Sequence, residues 1–160
     1  MISSNLYFLF NKFCSLFLIL CSCTPQTADK ADTANNDSIK KYLDLAGNLT
    51  LDDKLRNKYN DKAFSLVDLN RNDTLTRWYL YTIGINNANL LRFKNLKKNA
   101  KILNYLSNKS NSQRGFAYTN KLIGLDYMFK SENENAIKAF YISKKIFLKC
   151  GANKSLIKIR

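Results

Sequence analysis

The sequence predicts an all-α protein whose helix-turn-helix units stack as a short α-solenoid, after an N-terminal signal peptide and a flexible tether. Three observations support this prediction. Helix breakers are rare, with one Pro (Pro25) and five Gly among 160 residues. Apolar residues recur at helical spacing from Ile39 onward. One short stretch also occurs twice, as FKNLKKNA at residues 93–100 and FKSENENA at residues 129–136.

Residues 1–22 are predicted to be a lipoprotein signal peptide. A single positive charge, Lys12, precedes the apolar run Phe13 to Cys21. That run is shorter than the roughly 20 residues that a membrane-spanning helix needs. The following LCSC, residues 20–23, resembles the bacterial lipobox, in which a small residue stands directly before the Cys. The resemblance implies that Cys23 carries lipid such as palmitate and anchors the protein to a membrane of a bacterial cell envelope. An uncleaved amphipathic or signal-anchor helix is the alternative.

Residues 23–38 are predicted to be the lipidated Cys and a flexible linker. From Thr24 to Ser38 the chain contains no aromatic or large aliphatic side chain, so it has little apolar surface to bury. Residues 39–160 are assigned to the helical repeat domain. The last residues, Lys154 to Arg160, have the pattern of the first turns of a further helix. Truncation of the domain is one interpretation of that pattern, and a reduced terminal cap is the other.

The helical spacing predicts six helices before that last stretch. They are expected at Ser38 to Leu45, Leu51 to Leu69, Leu75 to Arg92, Leu96 to Leu106, Arg114 to Phe129 and Ser131 to Lys149. Thr50 is expected to cap the second helix, and Ser131 with Glu134 forms a capping-box pattern at the sixth. Residues 68–73 resemble the start of a calcium loop but lack its Gly and its final Glu, so they are predicted to be a helix-capping loop.

The repeated stretch is expected to straddle the turn between two antiparallel helices. Phe93 and Phe129 would each end the first helix of a pair. Ala100 and Ala136 would each lie one turn into the second helix, where a small side chain lets the two helices approach. The copies stand 36 residues apart. A helix-turn-helix unit with a period in this range indicates a solenoid, in which neighbouring units bury each other's apolar faces.

The chain resembles the tetratricopeptide repeat family over about residues 51–160. In the last complete unit, the Leu-Gly, Tyr, Ala and Phe positions of the family pattern are matched by Ile123, Gly124, Tyr127, Ala136 and Phe140. Asn120 replaces the Trp of that pattern and Leu148 replaces its Pro. The preceding unit matches more weakly, through Ala88, Leu91 and Ala100. A generic array of helical hairpins without true repeat ancestry is the alternative.

The net charge of +14 is unevenly distributed. Nine basic residues balance nine acidic ones from Thr24 to Leu91, whereas sixteen basic residues face three acidic ones from Arg92 to Arg160. A basic half of this kind can attract nucleic acid, anionic lipid or an acidic protein. A lysine-rich solvated helix surface explains the same charge without any partner.

The sequence contains no pattern for catalysis, so we expect that the protein is not an enzyme. The absence of His excludes imidazole bases and Ser-His or Cys-His pairs. Neither of the common glycine-rich phosphate-binding loops is present. Only Cys150 of the four cysteines lies in the folded part, so a zinc site is not expected either. No cofactor and no metal are predicted.

The resemblance implies a binding surface. In tetratricopeptide folds the first helix of each pair lines a concave groove. Counted from the matched glycine positions, the inward-facing residues are predicted to be Thr82, Ile85, Asn89 and Arg92 in one unit and Tyr118, Lys121, Leu125 and Met128 in the next. Such a groove could hold an extended or helical peptide, and Arg92 and Lys121 would favour an acidic one. Exposure to solvent, or contact with the next helix, is the alternative for these side chains.

The sequence therefore predicts an envelope-anchored, protein- or peptide-binding helical repeat module with a scaffold or interaction role. The alternative is the N-terminal sensor part of a longer signalling or transcription-regulator protein, whose output domain is missing here. Nucleic acid is not expected as a partner, because the leader predicts export and no recognition motif is present.

Overall fold

The structure is a computed structural model that describes residues 26–151, with side chains from residue 32 onward. The chain divides into two compact units, residues 1–35 and residues 36–160. In the first unit, the described residues belong to the start of one long helix. The predicted signal peptide, Cys23 and the expected helix at residues 154–160 lie outside the described residues.

Residues 26–151 form six α-helices and no strand, which confirms the all-α prediction. The helices are α1 (Gln26–Gly47), α2 (Asp53–Leu66), α3 (Thr74–Asn89), α4 (Phe93–Lys109), α5 (Gln113–Phe129) and α6 (Asn133–Lys149). From α2 to α6 each helix packs against the next, and α5 also packs against α3. This is the pattern of an array of helical hairpins. None of the described helices is both long and apolar enough to cross a membrane.

Helix α1 begins at Gln26, whereas the sequence analysis expected its start at Ser38. No Gly or Pro interrupts the chain between Gln26 and Ala46, so the backbone meets no strong helix breaker there. Residues 26–38 of the predicted linker are therefore helical, and the role of residues 23–38 as a tether stays a prediction. Ile39 and Leu43, one turn apart, are the buried side chains that hold the second half of α1.

Helix α2 is capped by Asp52. The Oδ1 atom of Asp52 accepts a hydrogen bond from the backbone N–H of Leu55 at 2.9 Å. The prediction that Thr50 caps this helix is wrong. The hydroxyl of Thr50 instead donates to the side chain of Asn48 at 2.8 Å, within the turn that follows α1. A carboxylate also suits the positive end of the helix dipole better than a hydroxyl does.

Asp73 caps α3, which confirms that residues 68–73 form a helix-capping loop. Its Oδ1 accepts from the backbone N–H of Thr76 at 2.7 Å, and its Oδ2 lies 2.8 Å from the guanidinium of Arg71. Burial alone would raise the pKa of Asp73, but the bonds from Thr76 and the charge of Arg71 outweigh it. The pKa of this carboxyl therefore lies below its ordinary value of 3.8. The cap stabilises the fold at pH values above 3.8, and acid that protonates the carboxyl removes this contribution.

The three turns between α3 and α6 share one geometry. Each contains one residue with positive φ, and the same feature follows α6: the four residues are Leu91 (54°), Asn111 (48°), Ser131 (61°) and Gly151 (69°). In the three turns, the next residue donates its backbone N–H to the carbonyl five residues earlier, at 2.8 to 3.0 Å. That bond marks the Schellman type of helix end.

The positive-φ residues also define the length of the structural repeat. They are evenly spaced along the chain, and every second one marks the same turn of the next helical hairpin. Leu91 therefore corresponds to Ser131, and Asn111 corresponds to Gly151. We call the interval from Leu91 to Ser131 the hairpin period.

The predicted capping box at the start of α6 is wrong. Ser131 is the positive-φ residue of the preceding turn, so its side chain is not placed to cap α6. The N-cap position is Glu132, which makes no side-chain cap bond. Glu134 lies in the first turn of α6, where a negative charge is favoured by the helix dipole.

The repeated sequence stretch is not the structural repeat. Phe93 begins α4, whereas Phe129 ends α5. Ala100 and Ala136 are both buried, but Ala100 is the eighth residue of α4 and Ala136 the fourth residue of α6. The predicted correspondence between the two copies is therefore wrong. The hairpin period is longer than their separation, and it also exceeds the period of about 34 residues that is typical of tetratricopeptide repeats.

Two glycines, separated by one hairpin period, bring neighbouring helices close together. A Cβ atom on Gly84 of α3 would lie 2.6 Å from a methyl carbon of Leu122 on α5. A Cβ atom on Gly124 of α5 would lie 2.6 Å from the ring of Phe140 on α6. Both sites leave no room for a larger residue. The structure therefore places Gly84, and not Ala88, at the position equivalent to Gly124.

The core contains a buried chain of three amide side chains. Asn60 of α2 donates from Nδ2 to Oδ1 of Asn87 on α3 at 3.0 Å. Asn87 in turn donates from Nδ2 to Oδ1 of Asn99 on α4, also at 3.0 Å. All three side chains are almost fully buried. We call this group the amide chain; it connects three successive helices by hydrogen bonds within the buried interior.

Candidate binding surface

Helices α3 and α5 together present one aromatic surface. Trp78 and Tyr81 lie one turn apart on α3, and Tyr118 and Lys121 lie one turn apart on α5. We call these four residues the aromatic face. The two helices can approach because Gly84 leaves space for a side chain of α5. The pairs occupy equivalent positions in successive hairpins, since Trp78 precedes Tyr118, and Tyr81 precedes Lys121, by one hairpin period.

The rings of the aromatic face are held by one another. Tyr81 and Tyr118 stack with their ring centroids 4.4 Å apart and an interplanar angle of 15°. The ring of Phe147 on α6 meets Tyr118 edge-on at 5.5 Å. Stacked and edge-on pairs of this kind stabilise each other by about 0.5–1.5 kcal/mol beyond the burial of their area. Few rotamers therefore remain open to Tyr118.

Lys121 places a positive charge on this surface. Its Nζ atom lies 5.6 Å from the ring centroid of Tyr81, within the range of a cation–π interaction. No salt bridge to Lys121 is found among the described residues. The ammonium group is thus oriented by an aromatic ring and keeps its charge available for an external anion.

The phenol of Tyr118 remains protonated to higher pH than usual. Burial raises its pKa above the ordinary value of 10.0, and the neighbouring Tyr81 raises it further, while the charge of Arg114 acts in the opposite direction. Tyr118 is therefore a neutral group at physiological pH. It contributes an apolar ring together with a hydroxyl that can donate or accept a hydrogen bond.

The structure brings two of the predicted groove residues together and gives several others different roles. Tyr118 and Lys121 both meet the ring of Tyr81. Ile85 and Leu125 are half-buried and pack against the hydrophobic core. Ile85 and Leu125 therefore contribute to the core that supports α3 and α5.

The remaining predicted groove residues lie outside the aromatic face. The hydroxyl of Thr82 donates to the backbone carbonyl of Trp78 at 3.0 Å. Asn89 is exposed at the last position of α3, and Met128 is exposed near the end of α5. The guanidinium of Arg92 lies 2.8 Å from the carboxylate of Asp61 on α2. The positive charge of Arg92 is therefore already balanced by a carboxylate of the protein.

Trp78 and Tyr81 are the residues of this surface that are not among the predicted groove residues. The reason is that the prediction aligns the first unit through Ala88, at the interval of the repeated stretch. A signal for the correct alignment is present in the sequence. The pair Ile83-Gly84 recurs one hairpin period later as Ile123-Gly124, and counting from Gly84 leads to Trp78 and Tyr81.

A second aromatic pair lies near one end of the helices. The rings of Phe93, at the start of α4, and Phe129, at the end of α5, have centroids 4.7 Å apart. Both side chains remain partly exposed, as do Leu91 and Met128 beside them in the sequence. Exposed apolar side chains near one another are typical of contact surfaces. Within residues 26–151, the cation–π contacts involve other rings and not Phe93 or Phe129.

No family model, no curated protein and no solved structure matches this chain.

Proposed function

We propose that the protein is a peptide-binding helical repeat module whose aromatic face holds an acidic segment of a partner protein. The observation that carries the proposal is the stack of Tyr81 on Tyr118 with the Lys121 ammonium above the same stack. Aromatic rings held in one conformation provide contact area at low entropic cost, as in the energetic centres of known interfaces. Lys121 adds the preference for a carboxylate.

Trp78 extends the aromatic face and supports a partner with at least one apolar side chain. Its ring is 37% exposed and packs at 5.5 Å against the neighbouring Tyr79. A partly exposed Trp next to stacked Tyr rings is suited to bind an aliphatic or aromatic side chain of a peptide. The partner chemistry we propose is therefore an acidic residue close to an apolar one in an extended or helical segment.

We propose further that the module is held at a bacterial cell envelope by lipid on Cys23. The lipobox-like residues 20–23 support this part of the proposal. Metabolic labelling with a palmitate analogue tests it: the wild-type chain should incorporate label and the Cys23→Ala variant should not, whereas equal labelling of both would remove the lipid anchor from the proposal.

The peptide-binding role can be tested by site-specific crosslinking in cells. A photo-crosslinking amino acid placed at Trp78 should capture defined partners, and Lys121→Glu in the same chain should abolish those adducts by repelling the acidic segment. Lys54→Glu on α2 is the matched control, because it makes the same charge change at an exposed position away from the aromatic face. A thermal melt of both variants verifies that the fold is retained.

A crosslinker at Leu49, which is strongly exposed in the turn after α1, gives the background of non-specific capture. The proposal predicts adducts that are specific to position 78 and sensitive to the Lys121 charge. Identical adducts from positions 78 and 49, or adducts that persist in Lys121→Glu, would show that the aromatic face does not bind the partner.

A further inference from the structure

Helix α6 has an outer surface on which apolar and basic side chains alternate. Its buried side faces the array through Ala136, Ala139, Ser143 and Phe147. The opposite side exposes Ile137 (67%), Tyr141 (65%) and Leu148 (50%), which share one helical stripe. Four exposed lysines accompany them. We call the following residues the α6 outer face: Ile137, Lys138, Tyr141, Lys144, Lys145, Leu148 and Lys149.

The charge of this surface is not neutralised by the protein. Glu134, in the first turn, is the one acidic residue of α6. Among the described residues, none of the four lysines of the α6 outer face forms a salt bridge. The surface therefore favours a partner that is negatively charged and also accepts aliphatic and aromatic side chains.

Helix α4 has a more basic outer surface in the same array. Its exposed lysines are Lys94, Lys97, Lys98, Lys101 and Lys109, and α4 contains no acidic residue. At the positions of Lys97 and Lys101, the next hairpin has Ile137 and Tyr141. Both helices are basic, and α4 is the more basic of the two. The exposed large apolar side chains of α4, Phe93 and Tyr105, lie on different sides of that helix, whereas α6 combines its charge with a row of three on one stripe.

We propose that the α6 outer face binds the surface of a bilayer that contains anionic phospholipid. A helix that places lysines beside Ile, Tyr and Leu fits the headgroup region, where the apolar side chains reach the acyl boundary and the ammonium groups meet phosphates. A soluble polyanion would use only the charge, which α4 offers as well. A second copy of the chain would bring four lysines against four, so self-association through this face is disfavoured. The proposal does not depend on peptide binding or on lipid at Cys23.

Lysine footprinting locates the contact on the full chain. The protein with Cys23→Ala, which removes the acceptor for lipid, is mixed with vesicles of phosphatidylglycerol and phosphatidylcholine or with vesicles of phosphatidylcholine alone. The acetylation rate of each lysine is then read by mass spectrometry. We expect the α6 lysines to react several-fold more slowly on the anionic vesicles, while the α4 lysines change little. Each Lys→Gln exchange on α6 should weaken the interaction about fivefold, which corresponds to roughly 1 kcal/mol per lysine near an anionic surface.

An apolar variant separates this proposal from simple charge attraction. The triple variant Ile137→Ser, Tyr141→Ser and Leu148→Ser keeps every lysine and changes only exposed positions, so it should fold and yet lose the protection of the α6 lysines. Leu49→Ser with Leu69→Ser is the matched control, since both leucines are exposed elsewhere, and it should retain that protection.

Three outcomes would overturn the proposal. Equal slowing on α4 and α6 would indicate attraction by overall charge. Retained protection in the triple serine variant would show that the apolar row makes no contact with lipid. Slowing of the α6 lysines without vesicles, as the protein concentration is raised, would assign the surface to contacts between copies of the chain.

Discussion

The two halves of the helical array hold their helices together with different chemistry. In α2, α3 and α4 the amide chain occupies the interior through Asn60, Asn87 and Asn99. The positions one hairpin period later carry Ala100, Tyr127 and Ala139. Near those residues the contact between α5 and α6 is made by Gly124 and the ring of Phe140. One half is therefore joined by hydrogen bonds between amides. The other is joined by close apolar packing together with one buried hydrogen bond, from the hydroxyl of Ser143 to the carbonyl of Ala117 at 2.8 Å.

This difference shows that the turns, and not the interior residues, define the repeat. The positive-φ residues recur at one spacing from Leu91 to Gly151, while the residues at the positions of the amide chain change from Asn to Ala and Tyr. Buried amides require each other as partners, so they favour one relative placement of α2, α3 and α4. Apolar contacts are less directional. Between α5 and α6, the lack of a side chain at Gly124 lets the ring of Phe140 approach closely, and this contact determines how the two helices lie against each other.

The largest effect is expected for Gly124→Leu in the apolar half. The new side chain would overlap the ring of Phe140, since even a Cβ atom at this position would lie 2.6 Å from the ring. Overpacking of this kind costs about 1–3 kcal/mol and occasionally more. We expect the free energy of unfolding to fall by an amount at the upper end of that range, because α5 and α6 would have to separate. The midpoint of urea unfolding followed by circular dichroism measures the effect.

Two variants test whether the close approach is the cause. Gly47→Leu is the matched control, because the nearest atom to a Cβ at that glycine is 3.9 Å away, and it should leave the free energy of unfolding nearly unchanged. Phe140→Ala added to Gly124→Leu should recover part of the lost stability by making space. A Gly124→Leu protein as stable as the wild type would show that α5 and α6 do not depend on this contact.

A smaller effect is expected for Asn87→Ala in the polar half. The substitution removes the partner of Oδ1 on Asn99 and leaves Nδ2 of Asn60 with only its longer bond to the carbonyl of Ile83, at 3.3 Å. Leaving a buried polar group without its partner costs about 1–3 kcal/mol, so we expect a loss of roughly 2 kcal/mol in unfolding free energy. Asn89→Ala, at an exposed position of the same helix, is the control and should change little.

The triple variant in which Asn60, Asn87 and Asn99 all become Ala tests whether the amide chain stabilises the polar half as one connected group. Because no member of the amide chain then remains unpaired, its loss of stability should be smaller than the sum of the three single losses. Strict additivity would indicate that the three amides contribute independently and that the polar half is not held by a connected group.

The overall architecture could be predicted because helical periodicity is strong in this sequence. The absence of breakers and the recurrence of apolar residues identified six helices and the helical-hairpin arrangement. The spacing of Gly124 and Phe140 in the last complete unit also led to a pair that is in contact in the structure. Tyr118 and Lys121, two of the predicted groove residues, lie on the aromatic face for the same reason, since they were counted from Gly124.

The error in the repeat length has a physical origin. The match between residues 93–100 and 129–136 rested on residue identity, whereas the period is set by residues that adopt positive φ. Leu, Asn, Ser and Gly all fill that position in this chain, so no single residue type marks it. Counting back from Tyr118 and Lys121 at the interval of the repeated stretch gives Thr82 and Ile85, whereas counting at the hairpin period gives Trp78 and Tyr81.

The amide chain could not be predicted, because buried Asn has no signature in the sequence. Asn60, Asn87 and Asn99 are spaced along three helices among many other asparagines, most of them exposed or only half-buried. Only their hydrogen bonds distinguish them. The caps show the same limit on a smaller scale. Thr50 is the predicted cap of α2, but Asp52 is the residue whose side chain reaches the N–H of Leu55.

The close contact between Leu122 and Gly84 also limits how further hairpins could be added to this array during evolution. Tandem copying of the α5–α6 hairpin would bring a second Leu122 toward Gly124, where Phe140 already fills the space. A copy of the α3–α4 hairpin would instead bring Thr82 toward Gly124, because Thr82 precedes Leu122 by one hairpin period. The side chain of Thr is smaller than that of Leu. We therefore expect an additional hairpin to arise from a copy of α3–α4. A copy of α5–α6 would have to be accompanied by replacement of Phe140 with a smaller residue.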